Sequence, residues 1–325
     1  MRAIVIRAHG GAEVLRPESL AEPEVGAGEV RVAVTHVGLN HLDVWVRRGV
    51  AGHDFHLPRV PGSDVAGVVD GAPVVLHPSW GCGACRACLD GNQNRCRDFQ
   101  IRGESADGGC AERVVVPRWQ VLPVPNGMSA AEAASLPLSL LTAWHMLVAR
   151  ARLQRGERVL VQAGAGGVGV MAIQVARMFG CEVHATASTP EKRAHLEALG
   201  ATPWPYERIG ARNMDVVVET VGVDTWASSM AALRWGGRLV CCGSTSGFEV
   251  PLNLRALFFK QIDILGSTMG TSADMLRAWD AVMAGHIRPV VHEVLPMSRL
   301  GEAHALLESR SAVGKVVVEQ DLDHG

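Results

Sequence analysis

The sequence has little excess charge of either sign and no long apolar run. Its 325 residues carry 31 Lys and Arg against 33 Asp and Glu, for a formal net charge of −2. Such a balance argues against a nucleic acid or an anionic membrane as a partner. No apolar run reaches membrane-spanning length, and Met1–Ile6 is typical of a strand and not of a secretory leader. We therefore expect a cytoplasmic protein that acts on a small molecule.

The chain is long enough for two domains, and its hydrophobic pattern changes once along its length. Through residues 1–121, short alternating runs such as Val30–Val37 are separated by Gly and Pro, which predicts a barrel-like β domain. Through residues 122–286, strands and helices alternate, which predicts an α/β domain with a doubly wound parallel sheet. Residues 287–325, with the strand Lys315–Glu319, are predicted to complete the first domain.

One weak strand helps to order the parallel sheet. The segment Pro203–Tyr206 carries two prolines, and proline is tolerated in a sheet at its edge. In the strand order 3-2-1-4-5-6 of doubly wound folds, the third strand lies at such an edge. We therefore predict this order, with the segment as the third strand.

Four of the eight cysteines, Cys82, Cys85, Cys88 and Cys96, follow the spacing C-x2-C-x2-C-x7-C. Thiolates at this spacing on a Gly-rich turn can converge on one tetrahedral ion, and a closed four-sulfur shell holds a loop without leaving a position for chemistry. Two disulfides or unrelated thiols are disfavoured because no secretory leader is visible. An iron–sulfur cluster is disfavoured because the bacterial run closes its fourth cysteine sooner. We predict one structural zinc per chain.

A glycine-rich loop joins the predicted strand Arg158–Ala163 to the predicted helix Gly167–Phe179 and fits G-x-G-x-x-G. Gly164 allows the tight turn, Gly166 lets the backbone approach a pyrophosphate, and Gly169 lets the helix pack on the sheet. The alternative is a structural turn that binds nothing. The strand-turn-helix setting favours a dinucleotide site.

The end of the next strand indicates which dinucleotide is bound. An NAD enzyme would place Asp or Glu there for the ribose 2′-hydroxyl, but this chain has Ala187 and then Ser188. Lys192 and Arg193 follow on the next turn and, with the serine hydroxyl, suit a 2′-phosphate. A solvated helix face is the alternative for these two cations. We therefore favour NADPH.

Together, the β domain, the four-cysteine loop and the run Ala163–Gly169 resemble the medium-chain dehydrogenase/reductase superfamily over nearly the whole chain. The resemblance implies a GroES-like catalytic domain, a Rossmann domain with the cofactor in the cleft between the two, and a homodimer or homotetramer. The cysteine spacing matches the structural-zinc lobe of that superfamily without a gap.

The catalytic zinc of the zinc alcohol dehydrogenases in this superfamily has no matching ligands here. The three ligand positions hold Asn40, Ser63 and Leu138. An amide, a hydroxyl and an alkyl chain cannot replace thiolate, imidazole and thiolate or carboxylate around zinc. We expect this metal to be absent, although another ligand set could in principle come from His41, Asp64 or Cys110.

The segment around Asn40 is instead similar to the quinone oxidoreductase branch, which has Asn, Asp and an aromatic residue in this order. The resemblance makes Asn40, Asp43, Trp45 and Ser63 the catalytic candidates. Asn40 and Ser63 could donate hydrogen bonds to a developing oxyanion, Trp45 could form a flat wall, and a proton could come from water, Asp43 or His41. A turn residue, a helix cap and a core aromatic are the respective alternatives for Asn40, Asp43 and Trp45.

Cofactor contacts and the activity complete the expectations. Beyond Gly164, Gly166, Gly169, Ser188 and Lys192, the cofactor candidates are Thr142, Gly167, Val168, Tyr206, Gly243, Ser244, Ser267 and Arg310. The leading hypothesis is an NADPH-dependent reductase of quinones or activated alkenes such as enals and enones. The alternatives are an alcohol dehydrogenase with an unconventional metal site and an NADPH-binding protein with little turnover.

Overall fold

The computed structural model describes residues 1–209 and 213–322, and within them the chain forms two compact units. The first unit contains Met1–Leu138 and continues from Pro289, and the second is Ser139–Arg288. This boundary lies later in the chain than the predicted 121/122. The reason is that the intervening segment packs on the first unit, where the carbonyl oxygen of Ala134 lies only 2.1 Å from the position of a Cβ on Gly38.

The strands are short in both units. In chain order they are β1 (Arg2–Val5), β2 (Arg16–Ser19), β3 (Glu29–Gly38), β4 (Asp64–Val69), β5 (Ala72–Leu76), β6 (Ser79–Trp80), β7 (Gln100–Ile101), β8 (Arg113–Pro117), β9 (Val121–Pro123), β10 (Arg158–Val161), β11 (Glu182–Thr186), β12 (Thr202–Trp204), β13 (Met214–Glu219), β14 (Leu233–Cys241), β15 (Asp263–Gly266), β16 (Val291–Pro296) and β17 (Lys315–Glu319).

The helices are concentrated in the second half of the chain. They are α1 (His41–Arg48), α2 (Arg86–Leu89), α3 (Ala130–Ala134), α4 (Pro137–Trp144), α5 (Gly167–Met178), α6 (Pro190–Ala198), α7 (Val223–Ala232), α8 (Leu254–Lys260), α9 (Ser272–Met283) and α10 (Leu300–Glu308). Shorter 3₁₀ turns span Ala12–Val14, Gln93–Arg95, Arg118–Gln120, Tyr206–Arg208 and Met297–Arg299, and α4 continues as a π-helical turn over His145–Arg150.

The first unit is the expected GroES-like β domain. Its main sheet has the order β16-β17-β3-β4-β5-β9, and β8 also pairs with β3. Alternation along β3 buries Val30, Val32 and Val34 in the core, as period-two strands require. Sequence reasoning missed α1, because eight residues are too few to show a helical period. Its start is fixed by Asn40, whose backbone N–H donates to the Asp43 carboxylate at 2.7 Å.

The second unit is a Rossmann-type domain. Its six strands are parallel in the order β12-β11-β10-β13-β14-β15, which confirms the predicted 3-2-1-4-5-6 order. The strand β12, which carries Pro203, lies at the edge of the sheet. Proline has no backbone N–H to donate, and an edge strand needs ladder hydrogen bonds on one side only. β10 and β13 are neighbours although a crossover separates them in sequence. This is the switch point at whose carboxyl side such sheets bind ligands.

Membrane-spanning helices were also sought. Among the described residues, no helix is long and apolar enough to cross a bilayer.

Candidate functional site

The carboxyl ends of the six parallel strands gather the predicted cofactor residues of the second unit. The glycine loop follows β10, Ser188 follows β11, Tyr206 follows β12, and Ser267 follows β15. The remaining members are Gly167, Val168, Lys192, Gly243 and Ser244 on the same edge and Thr142 on α4. Except for Thr142, these candidates lie on one edge of one sheet.

The glycine loop has the close contacts that its motif requires. A Cβ on Gly164 would lie 2.7 Å from the Cβ of Ala185, and a Cβ on Gly169 would lie 2.5 Å from the carbonyl oxygen of Ala163. A Cβ on Gly166 would meet that oxygen only at 3.4 Å. Packing within the chain thus demands glycine at positions 164 and 169. At 166 a glycine leaves the loop open to a ligand at the N-terminus of α5.

The end of β11 brings a cation to the place where an acid would stand in an NAD enzyme. Ala187 is buried, with 2% of its surface exposed. The Arg193 guanidinium donates to the carbonyl oxygens of Ala187 at 3.1 Å and Ser188 at 3.2 Å. Thr189 caps α6 by accepting from the Lys192 backbone N–H at 3.3 Å, and partial burial lowers the pKa of the Lys192 ammonium. The Arg193 guanidinium therefore lies at the end of β11, and Lys192 lies on the first turn of α6.

Contacts within the second unit or the backbone conformation hold three other cofactor candidates in place. The Thr142 hydroxyl lies 3.9 Å from the Met269 sulfur, and the Ser267 backbone N–H donates to the carbonyl oxygen of Cys241 at 2.9 Å. Gly243 has a φ of 95°, which favours glycine. Arg310 belongs to the first unit, two residues after the end of α10, and its contact with the cofactor stays a prediction.

The four-cysteine lobe has the geometry of a metal site. The sulfur atoms of Cys82, Cys85, Cys88 and Cys96 all lie within 4.8 Å of one another. Four sulfurs at 2.3 Å from a central zinc would lie about 3.8 Å apart, and the Cys82 and Cys88 sulfurs are 4.0 Å apart. Backbone N–H groups of Ala84 and Cys85 lower the pKa of the Cys82 thiol to about 6. Burial raises the pKa of the Cys88 thiol to about 12, so the four sulfurs do not share one titration tendency. Their spacing fits one tetrahedral zinc.

The three positions that lack catalytic-zinc ligands surround a buried carboxylate. Asp64 is completely buried, and its two oxygens accept from the Asn40 side-chain amide at 3.0 Å and the Leu138 backbone N–H at 2.7 Å. The Lys315 ammonium donates to the same carboxylate at 2.9 Å and to the Asn40 side-chain oxygen at 2.6 Å. A lysine thus supplies the positive charge at this position.

The Asn40 amide is already committed by these contacts. One N–H donates to Asp64, and Gly38 offers its carbonyl oxygen to the same nitrogen at 3.5 Å. Donation from Asn40 to a substrate stays a prediction, and it would require one of these bonds to be given up.

Asp43 and Ser63 lie beside this carboxylate. The Asp43 carboxylate accepts from the backbone N–H groups of Asn40 at 2.7 Å and Gly62 at 2.9 Å, so it closes the first turn of α1. Burial raises the pKa of Asp43 to about 6, against the lowering effect of these two bonds and of Lys315. The Ser63 hydroxyl is buried and has no hydrogen-bond partner within 1–209 and 213–322. Ser63 is therefore the catalytic candidate with a donor to spare.

Trp45 and His41 lie on α1. Trp45 packs against the cluster of Ile6, Val46 and Phe55, so part of it is a core aromatic. Burial and the cations Arg310 and Lys315 lower the pKa of His41. A neutral imidazole can exchange a proton near neutral pH, but no distance assigns it to a substrate.

Sequence reasoning missed Lys315 as a site residue. The signal available was a lysine at the first position of an apolar strand, where a charge is expensive unless it is paired. Its partners lie 251 and 275 residues away in the chain, which no spacing rule connects.

Two family models match the chain. Residues 26–126 match the alcohol dehydrogenase GroES-like domain, and residues 167–284 match the zinc-binding dehydrogenase family. The first match lies in the first unit and the second match in the second unit. The strand β17 lies outside both matched ranges.

Solved structures and curated proteins give the same assignment over the full length. A structure described as an NAD-dependent alcohol dehydrogenase is 41% identical with a TM-score of 0.93, covering 98% of this chain and 99% of that chain. The quinone oxidoreductase of Homo sapiens is 27% identical over 98% of this chain and 97% of its own. The acryloyl-coenzyme A reductase of Metallosphaera sedula is 28% identical over 98% and 99%.

Proposed function

Because the chain belongs to the medium-chain dehydrogenase/reductase superfamily of oxidoreductases, we propose that it is an NADPH-dependent reductase of quinones or activated alkenes that works without a catalytic zinc. The observation that carries this proposal is the buried cluster of Asn40, Asp64 and Lys315. By the resemblance, Asn40 of this cluster stands at one of the positions that supply catalytic-zinc ligands in the zinc alcohol dehydrogenases.

Two physical arguments disfavour a metal at that position. The donors are an amide, a hydroxyl and a carboxylate, which is a poor set for zinc. The Lys315 ammonium already lies 2.9 Å from the Asp64 oxygen, so a divalent ion on that oxygen would meet a buried like charge. The lobe of four cysteines has neither difficulty, and we assign one structural zinc to it.

The absence of a Lewis acid limits the substrate. An unactivated ketone or alcohol needs stabilisation of an alkoxide, whereas a quinone or an α,β-unsaturated carbonyl spreads the incoming charge through its conjugated system. Bound NADPH supplies the hydride. In this chain the Ser63 hydroxyl is the donor available for the oxyanion, and Asp43 or His41 is the candidate for the proton. The names of the Homo sapiens and Metallosphaera sedula relatives agree with this substrate class.

NADPH is preferred because no carboxylate stands at position 187 to hold the ribose 2′-hydroxyl of NAD or to repel a 2′-phosphate. Lys192 and Arg193 lie at that strand end, and each charge-assisted bond to the phosphate is worth about 1.5–3 kcal/mol. One similar solved structure is described as NAD-dependent, and that description applies to that protein and not to this chain.

A homodimer is proposed from the outer strand of the second unit. β15 pairs with β14 and lies at the end of the sheet order, and no other strand of the described residues pairs with its outer side. The neighbouring helix α8 exposes Leu254, Phe258 and Phe259 by 64%, 65% and 52%. Pairing of two β15 edges would cover both features. Light scattering should show a dimer, and Ile264→Pro should give a monomer, with Ile264→Val as the matched control.

The activity is tested with a panel of quinones, enals and enones, followed by nicotinamide absorbance with NADPH and with NADH. We expect turnover on several acceptors with NADPH, unchanged by a metal chelator that leaves the structural zinc in place. The second candidate, an alcohol dehydrogenase, is favoured by the 41% identity to a structure so described. Oxidation of simple alcohols that is lost with the chelator and restored by zinc would support it. Tight NADPH binding without turnover on the panel would contradict both.

The cofactor preference is tested separately by titration. Arg193→Ala and Lys192→Ala should each weaken NADPH binding about ten- to a hundredfold and leave NADH nearly unchanged. Ala187→Asp should reverse the preference, with Ala187→Asn as the uncharged control. Wild-type protein that binds NADH as tightly as NADPH would overturn the phosphate assignment and leave the fold intact.

A further inference from the structure

A buried chain of polar side chains lies behind the glycine loop of the second unit. It joins the end of β11 to the end of β13 and to α7. Its side chains are those of Gln162, Thr186, Glu219 and Ser229, and each is at most 1% exposed. Buried polar groups are costly unless every partner is present, so the pattern of contacts matters.

The contacts run in one unbroken line. The Ala163 backbone N–H donates to the Thr186 hydroxyl at 3.0 Å, and that hydroxyl donates to the Gln162 side-chain oxygen at 2.8 Å. The Gln162 side-chain amide donates to the Ser229 hydroxyl at 2.8 Å. The Ser229 hydroxyl donates to the Glu219 carboxylate at 2.5 Å. Four hydrogen bonds therefore connect the loop backbone to a buried acid.

The direction of every bond in this line is determined by its two ends. A backbone N–H can only donate, and the Glu219 carboxylate accepts at the far end. The same carboxylate also accepts from the backbone N–H groups of Val221 at 2.7 Å and Gly222 at 3.0 Å and from the Thr225 hydroxyl at 2.9 Å. The acid is thus anchored by its own loop, and it fixes which way the Gln162 amide and both hydroxyls point.

The near end of the line falls on the strained residue of the loop. Ala163 has a φ of 49°, a left-handed conformation that is unfavourable for a non-glycine residue. Thr186 holds it there and also accepts from the Gly164 backbone N–H through its own carbonyl oxygen at 2.8 Å. The Ala163 carbonyl oxygen in turn accepts from the Gly166 backbone N–H at 3.0 Å. The position of Ala163 therefore sets where Gly166 and the first turn of α5 lie.

We propose that Thr186, Gln162, Ser229 and Glu219 are positioning residues for the pyrophosphate of the dinucleotide. They hold the loop in its ligand-binding conformation before the ligand arrives, so binding does not have to order it. The inference rests on the proposed use of a dinucleotide and concerns the half of it that NADPH and NADH share. The competing explanation is that the line only stabilises the core.

Thr186→Val separates the two explanations, because valine keeps the volume and β-branching while removing the hydroxyl that the loop uses. We expect the Kd of NADPH and of 2′-phospho-ADP-ribose, which lacks the nicotinamide, to rise by the same factor of about ten. The KM for NADPH should rise similarly while kcat at saturation changes less than twofold. Thr186→Ser restores the hydroxyl and should recover most of the affinity.

A second variant tests the proposal even if Thr186→Val does not fold. Ser229→Ala lies two bonds farther from the loop and should raise both Kd values by about threefold. Ser135→Ala is the matched control, because Ser135 is equally buried and its hydroxyl donates to the carbonyl oxygen of Glu132 at 2.7 Å, outside the line. The control should lose stability in urea without a change in either Kd.

The outcomes are distinct. If Thr186→Val and Ser229→Ala lose stability like the control but bind NADPH and the fragment as wild type does, the positioning role is wrong and the proposed function stands. If wild-type protein binds neither NADPH nor NADH, the proposed function itself fails. Wild-type preference for NADH would move the same comparison to NADH and ADP-ribose.

Discussion

The first unit contains two places where the superfamily can hold a metal, and they differ in how the chain builds them. In the lobe, four thiols from one segment of fifteen residues converge within 4.8 Å. At the other position, Asn40, Asp64 and Leu138 converge from distant segments, and the cation is the ammonium of Lys315.

The two places would thus be stabilised by different positive charges, the proposed zinc ion in the lobe and the Lys315 ammonium at Asp64. With the proposed zinc, the lobe would depend on an ion from solution, because four clustered thiolates are unstable without one. A buried carboxylate with a lysine partner is complete within the chain, but it is lost if either partner is removed. The predictions below separate these dependences, beginning with the largest expected effect.

Cys88→Ser should have the largest effect. Wild-type protein should contain about one zinc per chain by elemental analysis, and this variant close to none. Loss of a structural metal should lower the free energy of unfolding by about 4 kcal/mol or more. Cys181→Ser, at a half-buried cysteine of the second unit, is the control and should keep its zinc. Two zincs in the wild type would contradict the assignment of Asn40, Ser63 and Leu138.

Lys315→Met should come next. It leaves the Asp64 carboxylate buried without its cation, at a cost of about 3–5 kcal/mol in urea unfolding, and the zinc content should not change. Lys315→Arg keeps the charge and should cost less. Adding Asp64→Leu to Lys315→Met should recover part of the loss. An unchanged midpoint for Lys315→Met alone would show that the pair is not the cation-dependent centre described above.

Asn40→Ala removes an acceptor from Lys315 and a donor from Asp64 while both charges stay paired. We therefore expect a smaller loss, about 2 kcal/mol in the same unfolding assay. Asn40→Asp keeps the oxygen for Lys315 but places a second acid beside Asp64, so it should be less stable than Asn40→Ala at neutral pH. If Asn40→Asp were the more stable of the two, attraction to the Lys315 ammonium would outweigh the repulsion between the two acids.

Asp43 should give an effect of a different kind, a pH dependence of stability. Its pKa is raised from 3.8 to about 6 by burial, so the folded state keeps a proton that the unfolded state has released between those values. The stability contributed by this group is present below about pH 4 and lost as the pH rises to about 6, by at most about 1.4 kcal/mol per pH unit. Asp43→Asn should flatten that slope. An identical slope in both proteins would assign it to another group.

Much of the fold was predictable because its signals are local. The six-strand order followed from a proline-bearing strand, and the glycine loop from the spacing of its three glycines. The helix α1 and the later domain boundary were not predictable. Eight residues show no clear period, and the packing of α3 against Gly38 is a contact between segments far apart in the chain.

The candidate site divides in the same way. The glycine loop and the four cysteines proposed as zinc ligands each have a motif, so their numbers could be written down from the sequence. The catalytic candidates were selected by resemblance, and the structure adds what each already binds. Asn40 and Asp43 have partners within the chain, whereas Ser63 has none among the residues described.

The sequence by itself determined which groups lie together when one short segment carries them all, because chain geometry over a few residues leaves few alternatives. This covers the thiol cluster, the tight turn of the glycine loop and the missing acid at position 187. Only the tertiary structure decided the two buried networks, around Asp64 with Lys315 and from Ala163 to Glu219. A polar group that loses water must pair with whatever the fold brings to it, and Lys315 meets Asn40 across 275 residues of chain.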